Sequence, residues 1–73
     1  MNQYLYPWYD LEGNHEIGTI SARNFSDCRD KLSKYLIDKY DKLDDTLEFD
    51  DLLENLGDIY GVYIGNIYDI TEF

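Results

Sequence analysis

The chain lacks the disulfide and the metal site that usually stabilise a very small domain. It contains one cysteine, Cys28, and one histidine, His15, in 73 residues. A single cysteine cannot form an internal disulfide, and one cysteine with one histidine cannot complete a structural zinc site. Burial of apolar side chains must therefore stabilise the fold at the lower limit of domain size, with self-association as another source of buried surface.

The composition predicts one folded domain spanning residues 1–73. Apolar residues make up 44% and aromatic residues 16% of the chain, which is too hydrophobic for a disordered acidic tail despite the net charge of -10. An unpaired thiol is typical of a reducing compartment. The sequence has neither a basic leader followed by an apolar segment nor an apolar run of about 18 residues. We therefore expect a cytoplasmic protein without a membrane segment.

The first part of the chain has the pattern of an antiparallel hairpin. Residues 3–11 are aromatic and favour a strand, although Pro7 predicts that this strand lies at a sheet edge or is broken. Residues 12–15 are turn formers, and the β-branched residues of 16–22 follow them. Two strands joined by a turn are therefore predicted.

Apolar residues recur every three or four positions from Phe25 to Leu43, which predicts a long amphipathic helix. Asn24 or Ser26 can cap its start. Cys28 lies on the apolar side, which favours a buried thiol over a reactive one. Three pairs place an acid four residues before a base: Asp27–Lys31, Asp30–Lys34 and Asp38–Lys42.

The last part of the chain predicts a short helix followed by strands. Residues 49–56 are amphipathic, with Thr46 as a candidate N-cap and Gly57 as the expected end. Residues 59–70 favour strands, and Gly65–Asn66 predicts a two-residue hairpin turn; the alternative is one strand bent at its glycines. The predicted fold is α+β in the order β-β-α-α-β-β, with a small antiparallel sheet of two hairpins packed against one long and one short helix.

Charge is distributed unevenly along the chain. All six basic residues lie within residues 23–42, where the net charge is +2, whereas residues 1–22 carry -3 and residues 43–73 carry -9 without any base. DNA, RNA and anionic lipid would repel such a chain, because phosphate binding depends on Lys and Arg. We therefore expect a basic protein as partner, with no direct contact to nucleic acid or membrane.

The residues that catalysis or metal binding would need are missing from the pattern. His15 lies in the predicted turn without a nucleophile beside it in the sequence. A calcium loop starting at Asp44 would place Phe49 where an EF-hand needs glycine. No glycine-rich segment is followed by the Lys-Ser/Thr of a phosphate-binding loop. We expect a binding protein that is not an enzyme and uses no metal or cofactor.

The acids of the second predicted helix are segregated from its apolar residues on a helical wheel. Carboxylates three or four residues apart are separated by about 5–6 Å, close to the scale of successive phosphates on a strand. Two interpretations are open: a solvated surface that keeps the protein soluble, and a surface shaped for a basic groove that normally holds nucleic acid. The candidate partner-binding residues are Asp44, Asp45, Glu48, Asp50, Asp51, Glu54 and Asp58.

In size, charge and lack of catalytic groups, the whole chain resembles the small phage-encoded DNA-mimic inhibitors. These include anti-restriction proteins, anti-CRISPR proteins, uracil-DNA glycosylase inhibitors and inhibitors that plug the channel of a replicative sliding clamp. The resemblance implies a viral or mobile-element origin, a host DNA-binding protein as target and inhibition by occupancy of its DNA site. It includes no motif from which site residues transfer. The alternative function is an acidic interaction module, such as an immunity protein or antitoxin that binds a basic partner.

The aromatic residues suggest a second surface. Alternation along the first strand places Tyr4, Tyr6 and Trp8 on the same side. Tyr and Trp are enriched in binding hot spots because they bury a large area while their polar ends remain satisfied. These three residues are expected either in the core or in an aromatic interface, and the interface would suit a homodimer.

Overall fold

Strand β1 (Asn2–Asp10) lies in the middle of a four-stranded antiparallel sheet. The computed structural model describes residues 1–71, so Glu72, counted above in the acidic segment, lies outside the described residues. The elements after β1 are β2 (His15–Ala22), α1 (Phe25–Lys39), α2 (Phe49–Tyr60), β3 (Val62–Ile64) and β4 (Tyr68–Asp69). The predicted α+β class and element order are confirmed. The helices have 15 and 12 residues, so the predicted contrast in helix length is wrong.

The first hairpin is confirmed, because β2 pairs with β1 along almost its whole length. The turn between them contains Gly13 at φ 89°, a backbone conformation that favours glycine. The carboxylate of Asp10 accepts hydrogen bonds from the backbone N–H groups of Glu12 and Asn14, at 2.9 and 3.0 Å. Together with the Asn14 side-chain amide, which has the largest effect, these donors hold the pKa of Asp10 below its ordinary value.

Strands β3 and β4 lie one after the other along the second edge of β1. Trp8 pairs with Ile64, and Leu5 pairs with Tyr68. Within residues 1–71 no pairing joins β3 to β4, so the predicted second hairpin at Gly65–Asn66 is wrong. The alternative, one long strand bent at its glycines, is not formed either, because residues 65–67 separate β3 from β4 and residues 59–60 belong to α2. The free edge of β1 provides this segment with backbone partners that a separate hairpin would leave unpaired.

Pro7 lies in the central strand, so its predicted position at an edge or a break of β1 is wrong. The Gly65 N–H donates to the Pro7 carbonyl at 2.9 Å. In an antiparallel strand the backbone N and O of one residue point to the same edge. The Pro7 nitrogen, which carries no hydrogen, therefore faces residues 65–67, as the Pro7 carbonyl does. There β3 has ended and β4 has not begun. The interruption of the outer strand therefore coincides with the proline that has no hydrogen to donate.

Helix α1 begins after Asn24, whose side-chain oxygen accepts a hydrogen bond from the Asp27 N–H at 2.8 Å. This confirms Asn24 as the cap. The helix ends at Lys39, and Leu43, which the sequence placed on its apolar side, lies beyond it but is still buried. The buried residues of the helix itself are Cys28, Leu32 and Leu36. The predicted burial of Cys28 is therefore confirmed.

Only part of the predicted charge pairing on α1 is formed. The Asp27 carboxylate lies 3.4 Å from Arg23 Nη2 and 3.7 Å from Lys31 Nζ, and these are the ion pairs found within residues 1–71. Two predicted pairs are absent there: Asp30–Lys34 and Asp38–Lys42. The latter is separated by the end of the helix, and the former joins two exposed side chains that gain little from pairing in water.

Helix α2 continues past Gly57, which the sequence predicted as its end. The residue that ends it is Gly61, at φ 65° in the left-handed region that favours glycine. Gly57 lies inside the helix under the ring of Tyr63, where an added Cβ would be 2.8 Å from the Tyr63 Cε1. This close approach leaves no room for a side chain at position 57, and α2 continues for three more residues, to Tyr60.

The core lies between the two helices and one side of the sheet. Tyr4 and Tyr6 are 1% and 8% exposed, and Trp8 packs partly buried against the same residues. Among the helix residues in this core are Leu32, Leu36, Leu52 and Leu56. Tyr4 and Tyr6 present almost no surface to a partner, so of the two alternatives, core or aromatic interface, they belong to the core, whereas Trp8 is partly buried. Alternation placed them correctly on one side, but that side is the one covered by the helices.

The packing of Tyr6 over Gly18, its partner in the β1–β2 register, can be tested by mutation. A Cβ at Gly18 would clash with the Tyr6 ring. We expect Gly18→Ala to lower the free energy of unfolding by about 1–3 kcal/mol in denaturant titrations, since the ring must leave a packed core. Thr19→Ala, on the other side of the sheet, is the control and should cost less than about 1 kcal/mol. Unchanged stability of Gly18→Ala would contradict this packing.

Candidate functional site: an acidic helical face

One side of α2 carries carboxylates, and the opposite side enters the core. Leu52 and Leu56 are fully buried, which fixes the orientation of the helix. The carboxylates belong to Asp50, Asp51, Glu54 and Asp58, and all four residues are exposed. Asp50, Glu54 and Asp58 follow one another at intervals of four residues, so they form a row with about 6 Å between neighbours along the helix axis. The predicted segregation of acids from core is present on this helix.

The loop before α2 adds three further exposed carboxylates: Asp44, Asp45 and Glu48. We call these seven residues the acidic face. The Asp44 N–H donates to Asn55 Oδ1 at 3.1 Å, which ties the loop to the helix. The Asp44 carboxylate accepts hydrogen bonds from the Thr46 N–H and hydroxyl, at 3.0 and 2.6 Å. The predicted N-cap role of Thr46 is therefore wrong: α2 begins at Phe49, after Glu48, and does not reach back to Asp44.

Two open clefts lie between the acidic face and basic residues of α1. One, of about 310 Å³, has Lys34 on the α1 side and Asp45 and Glu48 on the loop side. The other, of about 370 Å³, is lined by Arg29 and Asp50 together with apolar side chains. Within residues 1–71 no ion pair spans either cleft. The acidic segment lacks bases in sequence, but in space two bases border it, a proximity that no local sequence signal revealed.

Two further bases of α1 interact with groups outside the acidic face. Lys31 Nζ donates to the Ser21 carbonyl at 2.8 Å. Lys39 Nζ lies over three aromatic rings, and its hydrogen bond to the Tyr35 hydroxyl raises the pKa of the amine. The rings belong to Trp8, Tyr35 and Tyr40, at 5.9, 5.7 and 5.5 Å from Nζ to centroid. Such contacts stabilise a cation locally, so these ammonium groups are engaged elsewhere.

Side chains that could support other chemistry are few in the described part of the chain. Cys28 is fully buried, and burial raises the pKa of its thiol. His15 is exposed at the start of β2, with Nδ1 3.3 Å from the Gly13 carbonyl. Within residues 1–71 no group of three or more His, Cys, Asp or Glu side chains is arranged to hold a metal ion. The same residues include no helix that is long and apolar enough to cross a membrane. What the acidic face can do is accept charge-assisted hydrogen bonds from Lys or Arg.

The side of the sheet that faces away from the helices is also apolar. Residues paired across strands point to the same side. The outward-pointing apolar residues, which we call the open sheet face, are Leu5, Pro7, Tyr9, Ile17 and Tyr68. Tyr63 pairs with Tyr9, but its ring turns over the sheet edge onto Gly57 of α2 and is not counted with them. The rings of Tyr9 and Tyr63 stack with centroids 5.4 Å apart. Sequence reasoning missed this surface because it considered only the other set of alternate positions in β1, although both sets are apolar.

The loop that presents Asp44 can be tested by pH titration. The Thr46 hydroxyl, followed by the Thr46 N–H, holds the pKa of Asp44 below its ordinary value of 3.8, because both donate to the ionised carboxylate. Valine keeps the N–H but lacks the hydroxyl, so we expect the pKa of Asp44 to rise toward 3.8 in Thr46→Val, as measured by NMR. The stabilisation is present above pH 3.8 and is lost as the pH falls through the lowered pKa. The same pKa in both proteins would contradict this loop geometry.

The carboxylate row should cost stability. Glu54 lies between Asp50 and Asp58, and each like-charge pair one helical turn apart destabilises a helix by about 0.2–0.5 kcal/mol. We therefore expect Glu54→Gln to raise the free energy of unfolding by up to about 1 kcal/mol in urea titrations at low salt. The gain should shrink at high salt, where the repulsion is screened. Glu16→Gln on β2 is the control, and a loss of stability in Glu54→Gln would assign this residue a structural role.

Comparison with known proteins gives no relative for the chain. No family model, no curated protein and no solved structure matches it. The resemblance to DNA-mimic inhibitors therefore has no homologue to support it.

Proposed function

We infer that this protein is a DNA-mimicking inhibitor that occupies the basic DNA-binding groove or channel of a host protein. The observation that carries this inference is the acidic face, with seven exposed carboxylate residues and no ion pair to them within residues 1–71. Carboxylates about 6 Å apart along a helix are close in scale to successive phosphates of a strand. Lys and Arg side chains that hold phosphates can hold such carboxylates in the same way.

The construction of α2 favours tight binding by this face. Because Leu52 and Leu56 are anchored in the core, the carboxylates project from a fixed backbone, and little conformational entropy is lost on binding. Repulsion within the row is relieved when the partner's cations approach. The protein would thus inhibit by occupying the DNA site, without catalysing a reaction, in the host cytoplasm where the target meets DNA.

The acidic face would also suit a basic partner that does not bind DNA, as for an immunity protein or antitoxin. The two functions differ in one property of the partner. A DNA-binding groove admits either duplex DNA or this protein, so the two ligands exclude each other. A toxin-like partner without such a groove shows no competition with DNA.

Affinity capture from a bacterial lysate separates these functions. Lysate is applied to the immobilised protein at about 50 mM salt, and bound proteins are eluted by a salt gradient. We expect DNA-binding proteins, such as a sliding clamp, a restriction or CRISPR enzyme or a repair glycosylase, and we expect added duplex DNA to displace them. A captured protein that binds DNA and this chain simultaneously would contradict the proposal, and a single partner without affinity for DNA would favour the immunity-protein alternative.

A matched pair of variants assigns the binding to the acidic face. The first variant replaces Asp50, Asp51, Glu54 and Asp58 by the corresponding amides. The second variant replaces Glu12, Glu16, Asp38 and Asp69, which lie outside the acidic face, by the corresponding amides. Both variants therefore lose four negative charges. We expect the first to weaken capture by at least about tenfold at low salt and the second much less. Equal losses would mean that only the net charge matters, as for a solvated acidic surface.

A further inference from the structure

The open sheet face departs from the usual pattern of a sheet with one side in water, which alternates apolar inner residues with polar outer ones. Here Ile17, Tyr68 and Tyr9 are 65%, 54% and 51% exposed. The other outward residues of β1 and β2 are Gln3, His15, Thr19 and Ser21. None of the outward residues is Asp, Glu, Lys or Arg, although these types make up 30% of the chain. The surface thus combines apolar and uncharged polar side chains and carries no carboxylate, ammonium or guanidinium group.

The area of this surface suits a small, reversible interface. The described chain measures 35 × 29 × 17 Å. Strand β1 has nine residues, about 30 Å in length, so it runs along a long dimension of the molecule. The sheet therefore forms one broad side of a thin slab, and the helices form the other. The sheet is three strands wide at any point, so the open sheet face measures about 15 Å by 30 Å, on the order of 450 Å². This is less than the roughly 800 Å² that each partner buries in a stable complex and matches the smaller contacts of weak, reversible ones.

We propose that the open sheet face joins two copies of this chain, sheet against sheet, in a symmetric dimer. The absence of charged side chains on the open sheet face favours a second copy of the chain over a basic protein as its partner there. A chain of net charge -10 repels another copy, and this face allows contact without opposing charged side chains of the sheet. A basic protein would instead be attracted to the acidic face, which lies on the opposite side of the slab because the leucines of α2 point toward the sheet.

The chemistry of this face suits sheet-on-sheet packing. Two sheets stack about 10 Å apart with their strands within about 30° of each other, and their side chains interdigitate. Tyrosine fits such a layer because its ring is buried while its hydroxyl reaches the polar rim. The contact would also add buried apolar surface to a domain that has neither a disulfide within residues 1–71 nor a metal site there.

The dimer does not depend on the proposed function, but it has a consequence for it. Two acidic faces would lie on opposite outer surfaces, on the order of 30 Å apart, which is well beyond the Debye length of about 8 Å at physiological salt. Repulsion between the copies therefore opposes the dimer mainly at low salt. Added salt should tighten the dimer, whereas it should weaken binding of a basic partner to the acidic face.

Sedimentation equilibrium over a range of protein concentrations tests the dimer, at about 20 mM and about 200 mM salt. We expect a species of twice the 8.7 kDa chain mass, with a dissociation constant that falls as salt is added. Ile17→Glu on β2 and, separately, Tyr68→Glu on β4 should each weaken the dimer by at least about tenfold, because each brings like charges into the contact. Ser26→Glu adds the same charge on exposed α1 and should leave the dimer unchanged. Circular dichroism verifies that each variant is folded.

Several results would overturn the dimer. A monomer at every concentration and both salt levels would do so. Loss of the dimer in Ile17→Glu but not in Tyr68→Glu would place the contact at the free edge of β2 instead. If these variants weaken capture of a basic partner and leave the oligomeric state unchanged, the face belongs to that partner. Failure of the proposed function is distinguishable, since the acidic-face variant would then keep its partners while the dimer persists.

Discussion

The central position of β1 determines how the other elements are arranged. Strand β2 pairs with one edge of β1, and β3 and β4 pair with the other edge. The first and the last strand of the described chain, β1 and β4, are therefore neighbours in the sheet. Pairing on both edges satisfies most backbone groups of the strand, and its buried residues Tyr4 and Tyr6 supply the sheet side of the core. The core is formed by tyrosines from the sheet and leucines from the helices. The described residues of this short chain therefore fold around an apolar core without a disulfide or a metal site.

Elements governed by local interactions could be predicted from the sequence. The β1–β2 hairpin and the Asn24 cap of α1 depend on residues a few positions apart. Prediction failed where distant interactions compete with a local signal. Gly65–Asn66 matches a hairpin turn, but the open edge of β1 at the other end of the chain pairs with the residues on both sides of it. Gly57 and Gly61 both resemble helix ends, and the Tyr63 ring packed on Gly57 favours the later one.

The candidate site shows the same division. Exposure of the α2 acids follows from the buried leucines on the opposite side of the helix, which a helical wheel can show. Lys34 and Arg29 border the acidic face because of the way α1 lies beside α2. No short-range sequence pattern contains that information. The open sheet face was missed for a related reason. Alternation divides a strand into two sides, but only the topology shows which side the helices cover.

The contact between Trp8 and Lys39 gives the protein an internal optical probe. Trp8 is the only tryptophan, and its ring lies under the Lys39 ammonium where the end of α1 meets β1. The indole packs against the core and is separated from the open sheet face by the sheet itself. Its emission therefore reports how α1 docks on the sheet. A change in fluorescence on adding a ligand would mean that the helix layer has moved relative to the sheet, which distinguishes a deforming protein from a rigid one.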